Sequence, residues 1–555
     1  MVGKPRPCHY NRAMTETTVT GSPAPADETQ GIARSAAIIA LGNIASRVLG
    51  LVRDRVKSHY FGATGAVSAY ESAVIVPITI YDLLIGGMVS SALVPVFSEY
   101  LALNKREELW RLVATLLALI TAVMAVFVAV VQIAAPFIAA FMAPEYSPEL
   151  RDLLIRLLRL LVFGLFFMSL AAVLTGLLYA FRRFTLPTFT ASLFNLGVIF
   201  GALIFHEQLG VLSLAVGLLI GAALQAVVQL PGLRPHPPAP SPFGMFQGER
   251  GSRWFDWRHP GLWQIGRLYL PIVLGLVISN ASIIISTRLI NTTGERSFAW
   301  NDYATSLMQF PLGLVVTAVS VAILPTLSQK AVTSEAEFKA TLAQGLKLVL
   351  ALIVPAVVGM LLLARPITAL LYQSGEFTAL DTMIVSLVLR VQMLGVFFAA
   401  LDQPLIFAFY ARKDTLTPAL VGMAGVGVYL FVAFVISRLR PLTLLDLVAA
   451  NDAQLAAHAL VMLALFRRRL GGFTDSSVWV TFAKAALAAL GMGALTALAV
   501  WGVRAARWPD GLLSRVLEVL LPGSVGLVAY FALAARLNLA EVRLAAGLIR
   551  RKLRV

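Results

Sequence analysis

The 555-residue chain has a single cysteine, Cys8. It can form no intramolecular disulfide and no thiolate metal site. Its six histidines (His9, His59, His206, His236, His259, His458) are scattered, and no two stand at ligand spacing. The sequence therefore offers no metal centre. It has no G-x-x-x-x-G-K-[ST] loop, no H-E-x-x-H and no aspartate-rich pair of the kind that chelates magnesium for prenyl transfer. An ATP motor of its own is excluded. No catalytic constellation and no cofactor can be assigned.

Charge is also scarce. Only 13% of residues are charged and 58% are hydrophobic, whereas soluble domains average about a quarter charged. A chain this long and apolar cannot hide its hydrophobic residues in one core, so it needs lipid as solvent. Apolar runs of spanning length recur near 32–58, 66–100, 109–135, 150–180, 186–207, 209–232, 264–290, 299–329, 339–364, 379–410, 416–438, 443–466, 478–504 and 512–536. The expected fold is an all-α polytopic membrane protein with about 14 transmembrane helices.

The net charge of +16 does not point to nucleic acid. The basic residues form short clusters between apolar runs, where they act as topology signals. With the N-terminus in the cytoplasm, the cytoplasmic connections hold Lys105, Arg106 and Arg111, then Arg182 and Arg183, Arg412 and Lys413, and Arg467, Arg468 and Arg469. The opposite loops are sparser. Both termini are expected inside.

Residues 1–30 read as a disordered polar tail without the apolar region of a signal peptide. The Pro- and Gly-rich stretch 233–262 reads as a linker between six spans and eight. The halves it separates resemble each other. VPVFS (94–98) matches LPTLS (324–328), YAFRRFTLP (179–187) matches YARKDTLTP (410–418), and LGNIAS (41–46) matches LGLVIS (274–279), all offset by about 230 residues. Six crossings preserve orientation, so the repeats form two pseudo-symmetric six-helix lobes around a central cavity. The division is a lobe at 31–232, a lobe at 263–470, two added helices at 471–537 and a basic tail at 538–555. Two lobes around a midplane cavity is the plan of an alternating-access transporter. Without an ATP motor, it would run on an ion gradient, the membrane potential or the substrate gradient.

Charges at membrane depth are costly and usually face a cavity or a partner. The first span is the richest, with Arg47, Arg53, Asp54, Arg55 and Lys57 in SRVLGLVRDRVK. Arg47 and Arg53 are read as cavity-lining anion ligands. Arg55 and Lys57 are read as marking the span's outer end and reaching for the interface. Further buried candidates are Glu71, Asp82, Arg288, Arg390, Asp402, Asp452 and His458, with Asp54 sharing the helical face of Arg47. Asp82 stands out because it lies mid-span in TIYDLLIGG. Pro77, Pro271, Pro311, Pro355 and Pro404 lie inside spans and mark kinks.

Several stretches resemble the MurJ/MviN family of lipid II flippases, within the multidrug/oligosaccharidyl-lipid/polysaccharide exporter superfamily. They are SRVLGLVRD (46–54), ALVPVFSEY (92–100), RRFTLP (182–187), LMQFPLG (307–313), AILPTLS (322–328), YQSGEFTALD (372–381) and FYARKDTLTP (409–418). The resemblance covers about 32–537. It implies fourteen helices and a cavity whose arginines hold the diphosphate of an undecaprenyl-linked precursor. It also implies a groove for the lipid tail at the last two helices. Arg47, Arg53 and Asp54 match the first-helix motif. The second-helix arginine pair of the family is replaced by Tyr81 and Asp82, and an acidic residue by Gly86. The acidic–arginine pair of the eighth helix is Thr305 and Ser306, and an early Asp is Ser68.

The expectation is a flippase for lipid II in a bacterial inner membrane, serving cell-wall synthesis. Arg47 and Arg53 would bind the diphosphate, and Asp54, Asp82, Arg288, Arg390 and Asp402 would line the cavity. Its expected partners are the lipid-linked substrate, membrane lipids and cell-wall assembly proteins. The alternatives are a flippase for another lipid-linked oligosaccharide, a MATE-like drug or cation antiporter using acidic residues such as Asp82 and Asp402, and a non-transporting scaffold organised by the Arg-rich tail at 550–554.

Overall fold

The computed structural model describes residues 26–233, 256–473, 477–506 and 511–542. Most of the expected tail at 1–30, most of the linker at 233–262 and the basic tail beyond 542 lie outside the described residues. The first helix already begins at Ala26, inside the stretch read as a tail.

Fourteen long helices run through the described residues. Twelve are long and apolar enough to cross a membrane. In chain order these are α2 (Gly65–Ala102), α3 (Arg106–Met142), α4 (Pro148–Ala180), α5 (Thr190–Leu209), α6 (Leu212–Leu233), α8 (Ser297–Thr333), α9 (Glu335–Tyr372), α10 (Ala379–Ala411), α11 (Leu416–Leu439), α12 (Leu444–Leu470), α13 (Ser477–Ala505) and α14 (Leu512–Arg536). The other two are α1 (Ala26–Phe61) and α7 (Pro260–Asn291). The α7 sequence has no charged residue from 268 to 287. In α1 the charges between Arg47 and Lys57 dilute the apolar run, and they begin the candidate site.

In lipid every backbone polar group must be satisfied within its own segment, so apolar runs become helices. One departure from α geometry recurs at the repeat spacing, while a second π-helical stretch, Val89–Leu93 in α2, has no counterpart in α8. α2 holds a π-helical stretch at Asp82–Gly86, and α8 holds one at Leu312–Thr317. Their starts are 312 − 82 = 230 residues apart, the offset of the sequence repeat. In α8 the stretch follows Pro311 directly, and in α2 it lies one turn after Pro77. Proline removes one ladder bond and crowds the preceding carbonyl, and the widened turn absorbs the strain. The matched motifs after α4 and α10 also share a turn. Arg182 and Lys413 both adopt positive φ, 57° and 62°. Each donates its N–H to a tyrosine carbonyl three residues back, at Tyr179 and Tyr410. The next residue then donates to the carbonyl five back, at Leu178 and Phe409. Both helices thus end in the same left-handed cap.

Within the first half, α1 packs on α5, α5 on α6, α6 on α4, and α4 on α2 and α3. In the second half α8 packs on α9 and α10, α9 on α10, and α12 on α10 and α11. The pair α13 and α14 leans on α9, while α7 lies chiefly along α2 and α3. The α5–α6 contact explains its own sequence. Gly197 and Gly201 face Gly217 and Gly221, and a Cβ on any of the four would run into the opposing backbone. Two small-xxx-small faces let the helices touch backbone to backbone, the main source of adhesion where lipid removes the hydrophobic drive.

Besides the packing of α7 on α2 and α3, the halves meet where α2 faces α8 and α1 faces α9. This seam positions the site.

Candidate functional site

α1 carries its charges along about three turns, and each finds a different partner. Arg47, nearest the N-terminal end, reaches across to α8, where Nη1 donates to the Gln309 carbonyl at 3.4 Å. Its guanidinium occupies the place a Cβ on Gly313 would take. Arg53 lies two turns on. It donates to Asp54 through Nη2 at 2.9 Å and through Nε at 3.0 Å, and to Asn195 Oδ1 on α5 at 3.1 Å. Asn195 in turn donates to the Ser46 carbonyl, which ties α5 to α1. The Arg53 side chain remains 30% exposed, whereas Asp54 is sealed.

Lys57 is the centre of the site. Its side chain is 1% exposed, and its ammonium donates to Glu71 Oε1 on α2 at 2.6 Å and to Asp302 Oδ2 on α8 at 2.7 Å. Asp54 stands 3.7 Å away, one helical turn back. The Tyr303 ring faces the ammonium, 4.6 Å from the centroid. The reading of Lys57 as an interfacial marker is therefore wrong. Asp302 comes from 245 residues away, and no local pattern announces that meeting. A sequence signal did exist for the first-half members: Asp54 and Lys57 are three apart, on one face of a helix.

Around this network the seam is closed by backbone and aromatic contacts between the halves. The Glu376 N–H donates to the His59 carbonyl at 3.0 Å. Ala299 N–H donates to Ser68 Oγ at 3.0 Å, and Tyr303 OH to the Gly62 carbonyl at 3.0 Å. Arg55 turns away from the acids and donates to the Leu371 carbonyl at 3.0 Å. Behind the seam, within the second half, Tyr303, Tyr372 and Phe377 form a buried aromatic knot with centroids 4.9 to 5.9 Å apart. Gly62 adopts φ +61°, and a Cβ there would stand 2.5 Å from the Glu376 carbonyl oxygen. The seam needs glycine at that turn.

The other expected site residues are placed elsewhere. Asp82 is exposed within the π-helical stretch of α2, and its carbonyl accepts from Tyr269 OH at 3.2 Å. Arg288 lies over the Phe141 ring at 4.4 Å, in the last turn of α7. Arg390 caps the Leu361 carbonyl at 3.1 Å and shares its exposed face with Met383, Leu387 and Leu394. Asp402 pairs with His458 Nδ1 at 2.7 Å inside the second half, between α10 and α12. Of the expected set, then, only Arg47, Arg53 and Asp54 lie together, within two turns of α1, with Arg47 turned to α8 and Arg53 to α5. At the replaced family positions, Ser68 joins the seam, and Thr305 accepts from Gln392 at 3.0 Å. Among the described residues no group of acids and histidines could hold a metal ion.

A second feature lies beside α9. A largely apolar cavity of about 660 Å³ opens between α9, α13 and α14, lined in part by Pro355, Gly359, Met492, Gly523 and Phe531.

The chain is similar to several known proteins. The probable lipid II flippase MurJ of Haemophilus influenzae is 29% identical over 478 residues, covering 82% of this chain and 89% of that protein. That of Bdellovibrio bacteriovorus is 24% identical, covering 93% and 97%. Among solved structures, a lipid II flippase MurJ in an inward closed conformation superposes with a TM-score of 0.73 at 21% identity, covering 90% of this chain and 99% of that one. An inward-facing MATE multidrug transporter gives 0.66 at 14% identity, covering 77% and 94%. At such identities the structural likenesses establish the fold. The sequence model described as lipid II flippase MurJ matches residues 57–518, most of the length, and the chain belongs to that family.

Proposed function

We propose that this protein is a multi-pass inner-membrane transporter that flips lipid II by alternating access, with the diphosphate held by Arg47 and Arg53. The observation that carries the reading is family membership across 57–518, together with the two arginines of the first-helix motif, which stand less than two turns apart on α1. A guanidinium fork matches two phosphate oxygens at once. Arg53 is bridged to Asp54 here yet 30% exposed, so a diphosphate can compete for it. The Lys and Arg bias of the connections supports cytoplasmic termini, which makes the Lys57 seam the outer side, shut in this conformation. The apolar cavity at α9, α13 and α14 is suited to the lipid tail.

Native mass spectrometry tests the reading. The full chain is offered lipid II, undecaprenyl phosphate and an ordinary anionic phospholipid. Preferential lipid II binding that disappears in Arg47→Ala/Arg53→Ala supports it. Equal binding of all three, indifferent to the arginines, overturns it and favours the MATE-like antiporter or the scaffold.

A further inference from the structure

The seam network has an uneven charge count. Two cations, Arg53 and Lys57, face three carboxylates, Asp54, Glu71 and Asp302. Arg53 is committed to Asp54 by two hydrogen bonds. That leaves one ammonium, 1% exposed, to serve Glu71 and Asp302 at 2.6 and 2.7 Å. The remaining neighbours bring no positive charge. Tyr70 on α2, Tyr303 on α8 and Tyr372 on α9 are buried phenols. His59 contacts Ser374, and Arg55 is held by Leu371. Asp381, at the head of α10, is engaged by Trp300 and Arg296. Two carboxylates that share one site in a low dielectric cannot both stay ionised without a second cation. A metal ion has no room between them, because the ammonium already fills the centre.

We infer that the Glu71–Asp302 pair binds one proton when the seam is shut, and that this proton couples closure of the outer side to pH. The inference rests on the alternating-access reading and supplies its coupling ion. Lys57 and Glu71 both belong to the first half, and Asp302 to the second. When the halves part, Glu71 keeps Lys57 as its partner and Asp302 moves into water. The paired acid then has no reason to stay neutral, and the proton leaves. Acid on this side therefore closes the seam and alkali opens it. Asp302 keeps 28% of its side chain exposed, so the shut pair also has contact with water for exchange.

The test is a distance measurement that needs no lipid-linked substrate, so its outcome is independent of the lipid-binding experiment. Spin labels are placed on the full chain with Cys8→Ser, at Glu149→Cys on α4 and Leu380→Cys on α10. Both sites are exposed and lie on opposite halves. In liposomes the separated population, relative to the closed one, should rise about tenfold per pH unit through the transition, as release of one proton requires. Glu71→Gln and Asp302→Asn should each hold the seam closed at alkaline pH and flatten the response. No pH response in the parent protein overturns the inference, whether or not the variants fold. So does a response that survives unchanged in both variants. A pH midpoint that shifts with sodium concentration also overturns it, and replaces the proton with a metal ion.

Discussion

Lys57→Met isolates what the buried ammonium contributes to the shut seam. Methionine keeps the length of the side chain and removes the charge. The bond lost across the seam is the 2.7 Å contact to Asp302, a charge-assisted hydrogen bond of about 1.5–3 kcal/mol. Removing one partner of a buried pair typically costs about 3–5 kcal/mol. Because Asp302 is about a quarter exposed and regains water, ~2–3 kcal/mol is the better figure for the closed state. That converts to a ~30- to ~150-fold rise in the open-to-closed ratio. Amide hydrogen exchange reads it directly. The Glu376 N–H, bonded to the His59 carbonyl, and the Ala299 N–H, bonded to Ser68 Oγ, are protected only across the shut seam. Both should exchange faster by that factor at neutral pH, while amides inside the α5–α6 pair stay unchanged. Lys57→Met/Glu71→Leu/Asp302→Leu should recover most of the protection, since apolar residues of similar volume replace the whole buried ion cluster at little cost. If Glu376 and Ala299 exchange at the parent rate in Lys57→Met, the seam is held by its backbone and aromatic contacts and the electrostatic argument fails.

Four further outcomes follow from the same geometry. Gly62→Ala places a Cβ against the Glu376 carbonyl at φ +61°; at about 1–2 kcal/mol for the backbone alone, Glu376 exchange should rise at least ~5-fold. Gly201→Val forces α5 off the Gly217 backbone, and overpacking of ~1–3 kcal/mol should appear as a lower thermal unfolding midpoint in detergent. Arg53→Lys keeps the charge but cannot hold Asp54, Asn195 and a diphosphate with one planar fork, so lipid II affinity in native mass spectrometry should fall ~10-fold, about 1.4 kcal/mol. Asp414, in the turn before α11, is held below its ordinary value of 3.8 chiefly by the Thr417 hydroxyl, with the Thr417 backbone and Arg469 adding to it. A lowered carboxyl stabilises the fold above its ordinary value and loses that effect as pH falls through the lowered one. Asp414→Asn should therefore lower the unfolding temperature at pH 7 and weaken its fall below about pH 4.

Much of this protein was legible without coordinates because the causes are local. Apolar runs bounded by Arg and Lys fix the helices, since lipid forbids an unsatisfied backbone. The repeat was readable because each half places the same breakers at the same spacing, and the structure answers with paired π-helical stretches and paired left-handed caps at Arg182 and Lys413. The site was only half legible. Arg47, Arg53 and Asp54 announce themselves as charges at membrane depth in an otherwise apolar span. Arg390 and Arg288 looked equivalent on that criterion and instead sit on Leu361 and Phe141.

The sequence by itself determined the helices and the charged stretch of the first one, because each depends on residues within a few turns of one another, and the duplicated plan, because both halves repeat the same local pattern. Only the tertiary structure decided what Lys57 is. A lysine near the end of a span reads as one that reaches for water, and the distinction depends on whether a distant carboxylate arrives to hold it. Asp302 does so from α8, across the boundary between the halves, and the desolvation that makes the cluster consequential exists only once those helices have closed over it.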